Sequence, residues 1–226
     1  MNLKILWDFL FPVHCIPCRK YPESEAPLCA ECFNKLSVHQ TFFCGTCKAR
    51  LPEGKKICHP ATPFILGAAA NYENETIREL IYALKFNGVK SAAIPLGNLT
   101  LSYLKPLLSH DVVVVPVPLG KKRLRTRGYN QAELVAKIVS EGLYAPMVSA
   151  LIRDRETKPQ SGLRKVKLRE ENVAGCFSLS PEIDINKKIV LLIDDVATSG
   201  ATFREAALVL KRGGAKLVYA VATSKA

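Results

Sequence analysis

The chain has 226 residues, with 32 Lys and Arg against 20 Asp and Glu, which gives a formal net charge of +12 at pH 7. Apolar residues make up 48% and charged residues 23%, a composition typical of a soluble globular protein with a substantial core. No apolar run approaches the roughly 18 residues of a membrane-spanning helix, so stable membrane insertion is not expected. The positive charge favours anionic partners, either phosphorylated metabolites or nucleic acid.

The first segment, residues 3–13, is apolar but is interrupted by Lys4 and Asp8. No small-residue cleavage site follows it, so the segment does not have the pattern of a secretory signal. We interpret it as a short packing helix, with membrane contact as the minor alternative.

Seven of the eight cysteines lie in the first sixty residues, and six of them form three C-x-x-C pairs, a spacing typical of metal-binding knuckles. Two C-x-x-C pairs separated by ten residues can place four thiolates around one tetrahedral zinc ion. These four residues are Cys15, Cys18, Cys29 and Cys32. A second site would combine Cys44, Cys47 and Cys58 with His59 or another ligand, and the pattern does not decide whether that second site exists. A disulfide framework is the alternative, but nothing marks the chain as secreted.

Pro60 and Pro63 mark a boundary between two units. We divide the chain into an N-terminal cysteine-rich module, residues 1–62, and a second domain, residues 63–226. A module this small has little apolar core, so structural zinc would supply much of its folding free energy.

The second domain alternates strand-like and helix-like segments. Strands are predicted at 65–72, 111–116, 188–193 and 217–222. Helices are predicted at 76–86, at 96–108 after a break at Pro95, at 131–139, and after Thr202. This order predicts an α/β fold, a parallel sheet with helices on both faces.

The loop after the strand at 111–116 combines a stiff turn with a basic run. The turn consists of Pro116, Val117, Pro118 and Leu119, and its prolines restrict the backbone. Ligands bind at the carboxyl ends of parallel strands, so we expect the basic run to meet the pyrophosphate end of a polyanion. The residues concerned are Arg123, Arg125 and Arg127. A solvated basic surface is the alternative.

Residues 153–172 form a polar stretch without periodicity. A loop of about twenty residues in a compact domain is usually functional or disordered. Its basic residues favour a flap that orders on a bound anion, and disorder without function is the alternative. Cys176, which follows, is expected to be a small buried hydrophobic residue.

The most informative stretch joins the apolar run 189–193 to two adjacent acids, Asp194 and Asp195, which we place at the strand end. A loop of small and hydroxyl residues leads from there into a helix N-terminus. The loop residues are Ala197, Thr198, Ser199, Gly200, Ala201 and Thr202. Such a turn holds a phosphate, and acids after a strand accept hydrogen bonds from sugar hydroxyls. The stretch therefore predicts a ribose-5-phosphate site, and an ordinary strand-to-helix turn is the alternative.

The acid pair and its loop resemble the phosphoribosyl-pyrophosphate (PRPP) signature of type I phosphoribosyltransferases. With the cysteine knuckles and the motifs at 84–86, 115–119, 127–131 and 157–172, the chain resembles the ComF family of amidophosphoribosyltransferase-like proteins. The resemblance implies a zinc-ribbon head on a type I phosphoribosyltransferase fold and a cytoplasmic bacterial location. It also implies a role in natural competence, where the family handles incoming single-stranded DNA beside a helicase-like partner.

The resemblance also implies roles for individual residues. Asp194 and Asp195 would hold the ribose hydroxyls, 198–202 the 5-phosphate, and 116–119 the pyrophosphate. Mg²⁺ would bind the pyrophosphate and ribose oxygens. The candidate catalytic residues are Asp194, Asp195, Lys85 and Arg127. Further candidate substrate contacts are Arg123, Arg125, Gln160 and Arg169.

Two departures from the family pattern limit the enzymatic interpretation. Thr198 stands where purine-salvage relatives often carry an acid, and the fourth knuckle ends as Cys58-His59. Three hypotheses follow: a glycosyltransferase that uses PRPP with an unknown acceptor, a PRPP-binding protein acting in DNA uptake, and a single-stranded DNA-binding module that kept the fold. We favour the second, because Tyr129 is the only aromatic residue near the basic loops that could stack on a base.

Overall fold

The computed structural model describes residues 13–51, 59, 61–108, 111–155 and 173–226. Its main sheet has five strands in the order β1-β2-β7-β6-β3. These are β1 (Phe43–Cys44), β2 (Ile65–Asn71), β3 (Val113–Pro116), β6 (Ile189–Ala197) and β7 (Leu217–Lys225). The strands β4 (Leu151–Arg153) and β5 (Phe177–Leu179) form a separate antiparallel pair.

The helices of the described residues connect and cover these strands. They are α1 (Ala30–Asn34), α2 (Glu75–Phe86), α3 (Ala93–Leu104), α4 (Lys121–Arg127), α5 (Gln131–Leu143) and α6 (Ala201–Arg212). A 3₁₀ turn, Lys90–Ala92, precedes α3. The Oδ1 atoms of Asn74 and Asn130 cap α2 and α5 by accepting from backbone N–H groups, each at 3.2 Å. Among the described residues, none of these helices has the length and apolar character to span a bilayer.

The sheet is buried on both faces, as its apolar runs predict. Along β6, Val190 and Leu192 pack into one core, and Leu191 and Ile193 pack into the other. Helices α2, α3 and α5 cover the Leu191 face, and α6 covers the opposite face. The four strands β2, β7, β6 and β3 are parallel, which confirms the predicted α/β sheet.

Strand β1 comes from the cysteine-rich segment and was not predicted. It pairs antiparallel with the start of β2, Phe43 opposite Leu66 and Cys44 opposite Ile65. His39 continues this contact, since its backbone N–H donates to the carbonyl oxygen of Ala69 at 2.8 Å. The segment 39–44 therefore lies along the outer edge of the main sheet.

Three local predictions were wrong. Pro95 does not break a helix but lies in the first turn of α3, where an N–H has no intrahelical partner to lose. Strand β6 does not end before the acids but continues through Asp194 and Asp195 to Ala197, because β7 pairs with it as far as Lys225. The basic run also differs from a loop: residues 121–127 form the helix α4, which ends at Gly128 in a left-handed conformation.

Several predictions lie outside the described residues. They concern the N-terminal packing helix apart from Val13, the flap beyond residue 155, and the residues Cys58, Gln160 and Arg169.

Candidate functional site

The first cysteine cluster has the geometry of a tetrahedral zinc site. The sulfur atoms of Cys15, Cys18, Cys29 and Cys32 all lie within 4.8 Å of one another. Sγ of Cys18 and Sγ of Cys29 are 3.8 Å apart, the separation that Zn–S bonds of about 2.3 Å produce at tetrahedral angles. A hydrogen bond from the N–H of Lys20 lowers the pKa of Cys18 to about 7, which favours the thiolate form that binds metal. The four residues fit a structural zinc ion.

A second cluster brings together Cys44, Cys47 and His59, whose ligand atoms also lie within 4.8 Å of one another. Sγ of Cys44 is 3.4 Å from Nδ1 of His59. Three of the four predicted ligands therefore meet, and Cys58, the fourth, lies outside the described residues. Two thiolates and an imidazole are a donor set that zinc accepts.

The acid pair lies at the carboxyl end of β6 and meets a cation from α2. Nζ of Lys85 is 2.8 Å from Oδ1 of Asp195, and the two side chains are 22% and 4% exposed. Oδ2 of Asp195 is buried and accepts no hydrogen bond from the described residues. A buried carboxylate oxygen with an open lone pair is a suitable acceptor for a ligand hydroxyl.

Asp194 is half-buried beside Asp195. Its Oδ1 accepts a hydrogen bond from the N–H of Asp195 at 2.8 Å. Burial, and after it the charge of Asp195, raise the pKa of Asp194 to about 7, against the opposing effects of Lys85 and Arg153. Two adjacent acids with unequal environments are a feature of functional sites.

The loop after β6 has the features of an anion site at a helix N-terminus. Gly200 precedes α6 with a φ of 83°, a left-handed conformation that suits glycine, and it has no side chain to cap the helix. Oγ of Ser199 accepts from the N–H of Ala201 at 3.3 Å. Because α6 begins at this loop, its dipole favours negative charge there.

The turn 116–119 lies next to the strand that carries the acids. Pro116 pairs with Ile193 in the sheet, and the N–H of Val117 donates to the carbonyl oxygen of Ile193 at 2.9 Å. Nδ2 of Asn130 holds the turn from the other side by donating to the carbonyl oxygen of Val117 at 3.0 Å. The turn and the acid pair therefore leave the same edge of the sheet.

The predicted cations divide into two groups. Burial lowers the pKa of Arg127, and the negative charge of Asp195 raises it, so the two side chains attract each other electrostatically. Arg127 also donates to Oε1 of Gln131. Lys85 thus contacts the acid pair and Arg127 feels the charge of Asp195, whereas Arg123, half-buried, and Arg125, exposed, lie elsewhere on α4.

Two further residues join the site: Lys48, which no sequence signal identified, and Arg153, which was named from the sequence only as part of the predicted flap. Nη1 of Arg153 donates to the carbonyl oxygen of Pro118 at 3.4 Å, and its charge acts on Asp194. Nζ of Lys48 donates to the carbonyl oxygen of Thr198 at 3.2 Å. Both contacts join segments that are distant in sequence, so only the folded chain shows them.

The assignment of Tyr129 as the available stacking residue was wrong. Tyr129 is buried, and its hydroxyl donates to the carbonyl oxygen of Leu84. The exposed aromatic residues near the basic helix are instead Tyr82 and Phe86 on α2, which are 56% and 66% exposed. Their ring centroids lie 4.9 Å apart, and the Arg127 guanidinium is 5.9 Å from the Phe86 ring centroid.

Comparison with known protein families finds two matches in the chain. Residues 6–62 match the double zinc ribbon domain, and residues 129–225 match the phosphoribosyl transferase domain. Among solved structures, glutamine phosphoribosylpyrophosphate amidotransferase from B. subtilis aligns with 59% of this chain and 26% of its own at 24% identity, with a TM-score of 0.40.

Three relatives match nearly the whole chain. The DNA utilization protein YhgH of Escherichia coli K12 is 29% identical over 90% of this chain and 86% of its own. Competence protein F of Haemophilus influenzae is 28% identical over 88% and 85%, and competence protein ComFC of Bacillus subtilis is 25% identical over 93% and 85%.

The fold and the two matched domains define a phosphoribosyltransferase-like α/β protein with an N-terminal double zinc ribbon. The chain is a homologue of the ComF family proteins, which agrees with the resemblance in its motifs.

Proposed function

We propose that this protein binds PRPP, together with Mg²⁺, at the carboxyl edge of the main sheet and acts in DNA uptake in the cytoplasm. The observation that carries the proposal is the meeting of Asp194, Asp195 and Lys85 beside the N-terminus of α6. The names of the relatives, which refer to competence and to DNA utilization, support the biological role.

Each part of the site has a distinct task in this proposal. Asp194 and the open Oδ2 of Asp195 accept hydrogen bonds from the ribose hydroxyls. The loop 198–202 holds the 5-phosphate through backbone N–H groups and the dipole of α6. Bound Mg²⁺ would neutralise charge on the pyrophosphate oxygens. Lys85 and Arg127 place fixed positive charge beside the acids, so they compensate the charge of a polyanion that the acids alone would repel.

Turnover would add one step to this binding. The bond between the anomeric carbon and the pyrophosphate oxygen would break, pyrophosphate would leave with the electron pair, and a nucleophilic acceptor would bond to the same carbon. The positive charge of Arg153, which donates to the carbonyl oxygen of Pro118 in the turn 116–119, would favour departure of the pyrophosphate. A phosphoribosyltransferase activity of this kind is tested by pyrophosphate release with a panel of acceptors.

Calorimetric titration with Mg²⁺ and PRPP tests the binding proposal. We expect the wild-type chain to bind and the double variant Asp194→Asn with Asp195→Asn to bind at least ten-fold more weakly. Asp111→Asn is the matched control, since Asp111 is exposed and precedes β3 at the opposite end of the sheet. Equal affinity of the wild-type and double-variant proteins would contradict the proposal.

The exposed pair Tyr82 and Phe86 favours a second candidate function, direct binding of single-stranded DNA. Stacking of a base on an aromatic ring contributes about 1–3 kcal/mol, and a neighbouring Arg adds attraction to the nucleic acid. The two rings lie beside Arg127 and close to the basic helix α4. A helicase-like competence protein, which the resemblance implies as a partner, would act on the same strand.

A further inference from the structure

A long-range hydrogen bond joins the cysteine-rich segment to the candidate phosphate loop. Nζ of Lys48 donates to the carbonyl oxygen of Thr198 at 3.2 Å, across 150 positions of the sequence. Thr198 directly follows β6 and is the first residue of the loop 198–202. We infer that Lys48 is a positioning residue for this loop, and that the cation site at Cys44, Cys47 and His59 controls it. The inference deepens the proposed binding of PRPP and rests on it.

The turn that carries Lys48 is closed by its own backbone. The N–H of Lys48 donates to the carbonyl oxygen of Cys44, and the N–H of Cys44 donates to that of Ala49, each at 2.9 Å. Lys48 has a φ of 59°, a left-handed conformation that is unfavourable for a residue with a side chain. Such a conformation persists where the surrounding structure imposes it.

The same turn packs closely against the segment that leads into β2. A Cβ on Gly45 would lie 2.7 Å from the carbonyl oxygen of Phe64 and 2.8 Å from Cγ2 of Thr62, so only glycine fits. The hydroxyls of Thr46 and Thr62 are hydrogen-bonded to each other. The base of the Lys48 side chain is therefore fixed relative to the sheet whose edge carries the loop.

A cation at the second cluster would fix the turn further. Cys44 and Cys47 lie within the turn, and their ligand atoms and that of His59 are within 4.8 Å of one another. Lys48 directly follows Cys47, so a bound ion restrains the residue next to it. When the ion is removed, this restraint is lost, and we expect the increased mobility to reach Thr198 through Lys48.

Charge gives the contact a second effect on ligand binding. The Lys48 side chain is half-buried, so its positive charge is screened less than that of a fully exposed lysine. An ammonium group at the first residue of the loop attracts a phosphate dianion that binds in the loop. Loss of Lys48 therefore removes both the positioning of the loop and one positive charge beside it.

Calorimetric titration with ribose 5-phosphate tests the inference through three variants. We expect Lys48→Met to weaken binding about ten-fold and Lys48→Arg to stay within about three-fold of wild type, because arginine keeps a donor and the charge. Lys35→Met is the matched control, since Lys35 pairs with Glu31 at 2.7 Å on the surface near the other cluster. If the wild-type protein binds ribose 5-phosphate and Lys48→Met binds it with the same affinity, the inference is overturned. The proposal that the protein binds PRPP would still stand.

Hydrogen exchange without ligand separates the inference from the proposed function. We expect the amides of residues 198–202 to exchange about ten-fold faster in Lys48→Met and in Cys47→Ser, with no change in Lys35→Met. Metal analysis shows whether Cys47→Ser has lost its cation. If that loss leaves loop exchange unchanged, the cation site does not control the loop. If the wild-type protein binds no ribose 5-phosphate, the proposed function fails, and exchange in Lys48→Met still decides whether Lys48 positions the loop.

Discussion

Lys85 on α2 and Asp195 on β6 form a 2.8 Å ion pair across the interface between helix and sheet. The pair is largely buried, so each charge depends on the other for compensation. It places a lysine from one sequence motif and an acid from another, 110 positions later, at one edge of the sheet. The contact therefore brings the two motifs together at the candidate site.

Removal of Lys85 should destabilise the protein and weaken PRPP binding together. Lys85→Met leaves Asp195 buried without its cation, which costs about 2–3 kcal/mol, discounted for the exposed part of Lys85. Urea unfolding measures this cost. Glu75→Gln is the control, because it breaks an exposed 3.7 Å pair with Arg78 on the same helix, and such pairs contribute about 0–1 kcal/mol. Similar costs for the two variants would show that the burial of the pair has no energetic consequence.

The acid Asp194 should make the stability depend on pH. Its pKa of about 7 in the folded protein lies above the unfolded value of about 3.9, so the folded state favours the neutral form. The contribution of Asp194 to the free energy of unfolding is therefore fully present below about pH 4 and is lost as the pH rises through about 7. The Asn side chain of Asp194→Asn does not ionise. The free energy of unfolding of this variant, measured relative to wild type, should therefore be larger at pH 8 than at pH 5 by about 1 kcal/mol or more.

Urea unfolding at pH 5 and pH 8 provides the measurement. Asp111→Asn, which changes an exposed carboxylate, should show no such difference between the two pH values. A gain for Asp194→Asn that is equal at both pH values would mean that burial does not keep Asp194 neutral.

Gly200 should matter for the phosphate loop as well as for stability. A Cβ at this position meets nothing within 4 Å, but the φ of 83° penalises alanine by about 1 kcal/mol. Gly88, with a φ of 72° and the same open space, is a matched control outside the loop. We expect Gly200→Ala and Gly88→Ala to lower the melting temperature similarly, with only Gly200→Ala weakening ribose 5-phosphate binding. Equal binding by the two variants would argue against the loop as the phosphate site.

Zinc content should follow the cysteine clusters. Cys32→Ser should lose one equivalent of zinc by elemental analysis and lower thermal stability, since metal binding and folding of the module are coupled. Cys176 is the control: it is fully buried but lies outside both clusters, so Cys176→Ser should keep the wild-type zinc content. Retention of all zinc by Cys32→Ser would exclude the four-cysteine site.

The aromatic pair on α2 tests direct contact with DNA. Phe86→Ala should weaken binding of a thymidine oligonucleotide about ten-fold at low salt if bases stack there. Tyr144→Ala is the control, because Tyr144 is 98% exposed and lies at the end of α5. Fluorescence anisotropy over a salt series also measures the phosphate contribution. Equal effects of the two variants would remove α2 from the DNA surface.

The sequence predicted those features that depend on neighbouring residues. The apolar run at 189–193 and the period of residues 76–86 predicted β6 and α2, and the contiguous acids and loop identified the candidate site. Strand β1 escaped prediction because its two residues are defined by their pairing with β2. Lys48, and the contact of Arg153 with Pro118, were missed for the same reason: the partners lie far away in the chain. Pro95 was misjudged because its effect depends on its position within the helix.

The segment 39–44 has a consequence for any attempt to study the second domain alone. It pairs with Ile65 and Leu66, and His39 supplies a donor to the carbonyl oxygen of Ala69. In a fragment of residues 63–226, those peptide groups would be unpaired, and they could form hydrogen bonds with the same strand of another molecule. Such a fragment is expected to self-associate at high concentration, so the cysteine-rich segment also acts as a guard against aggregation.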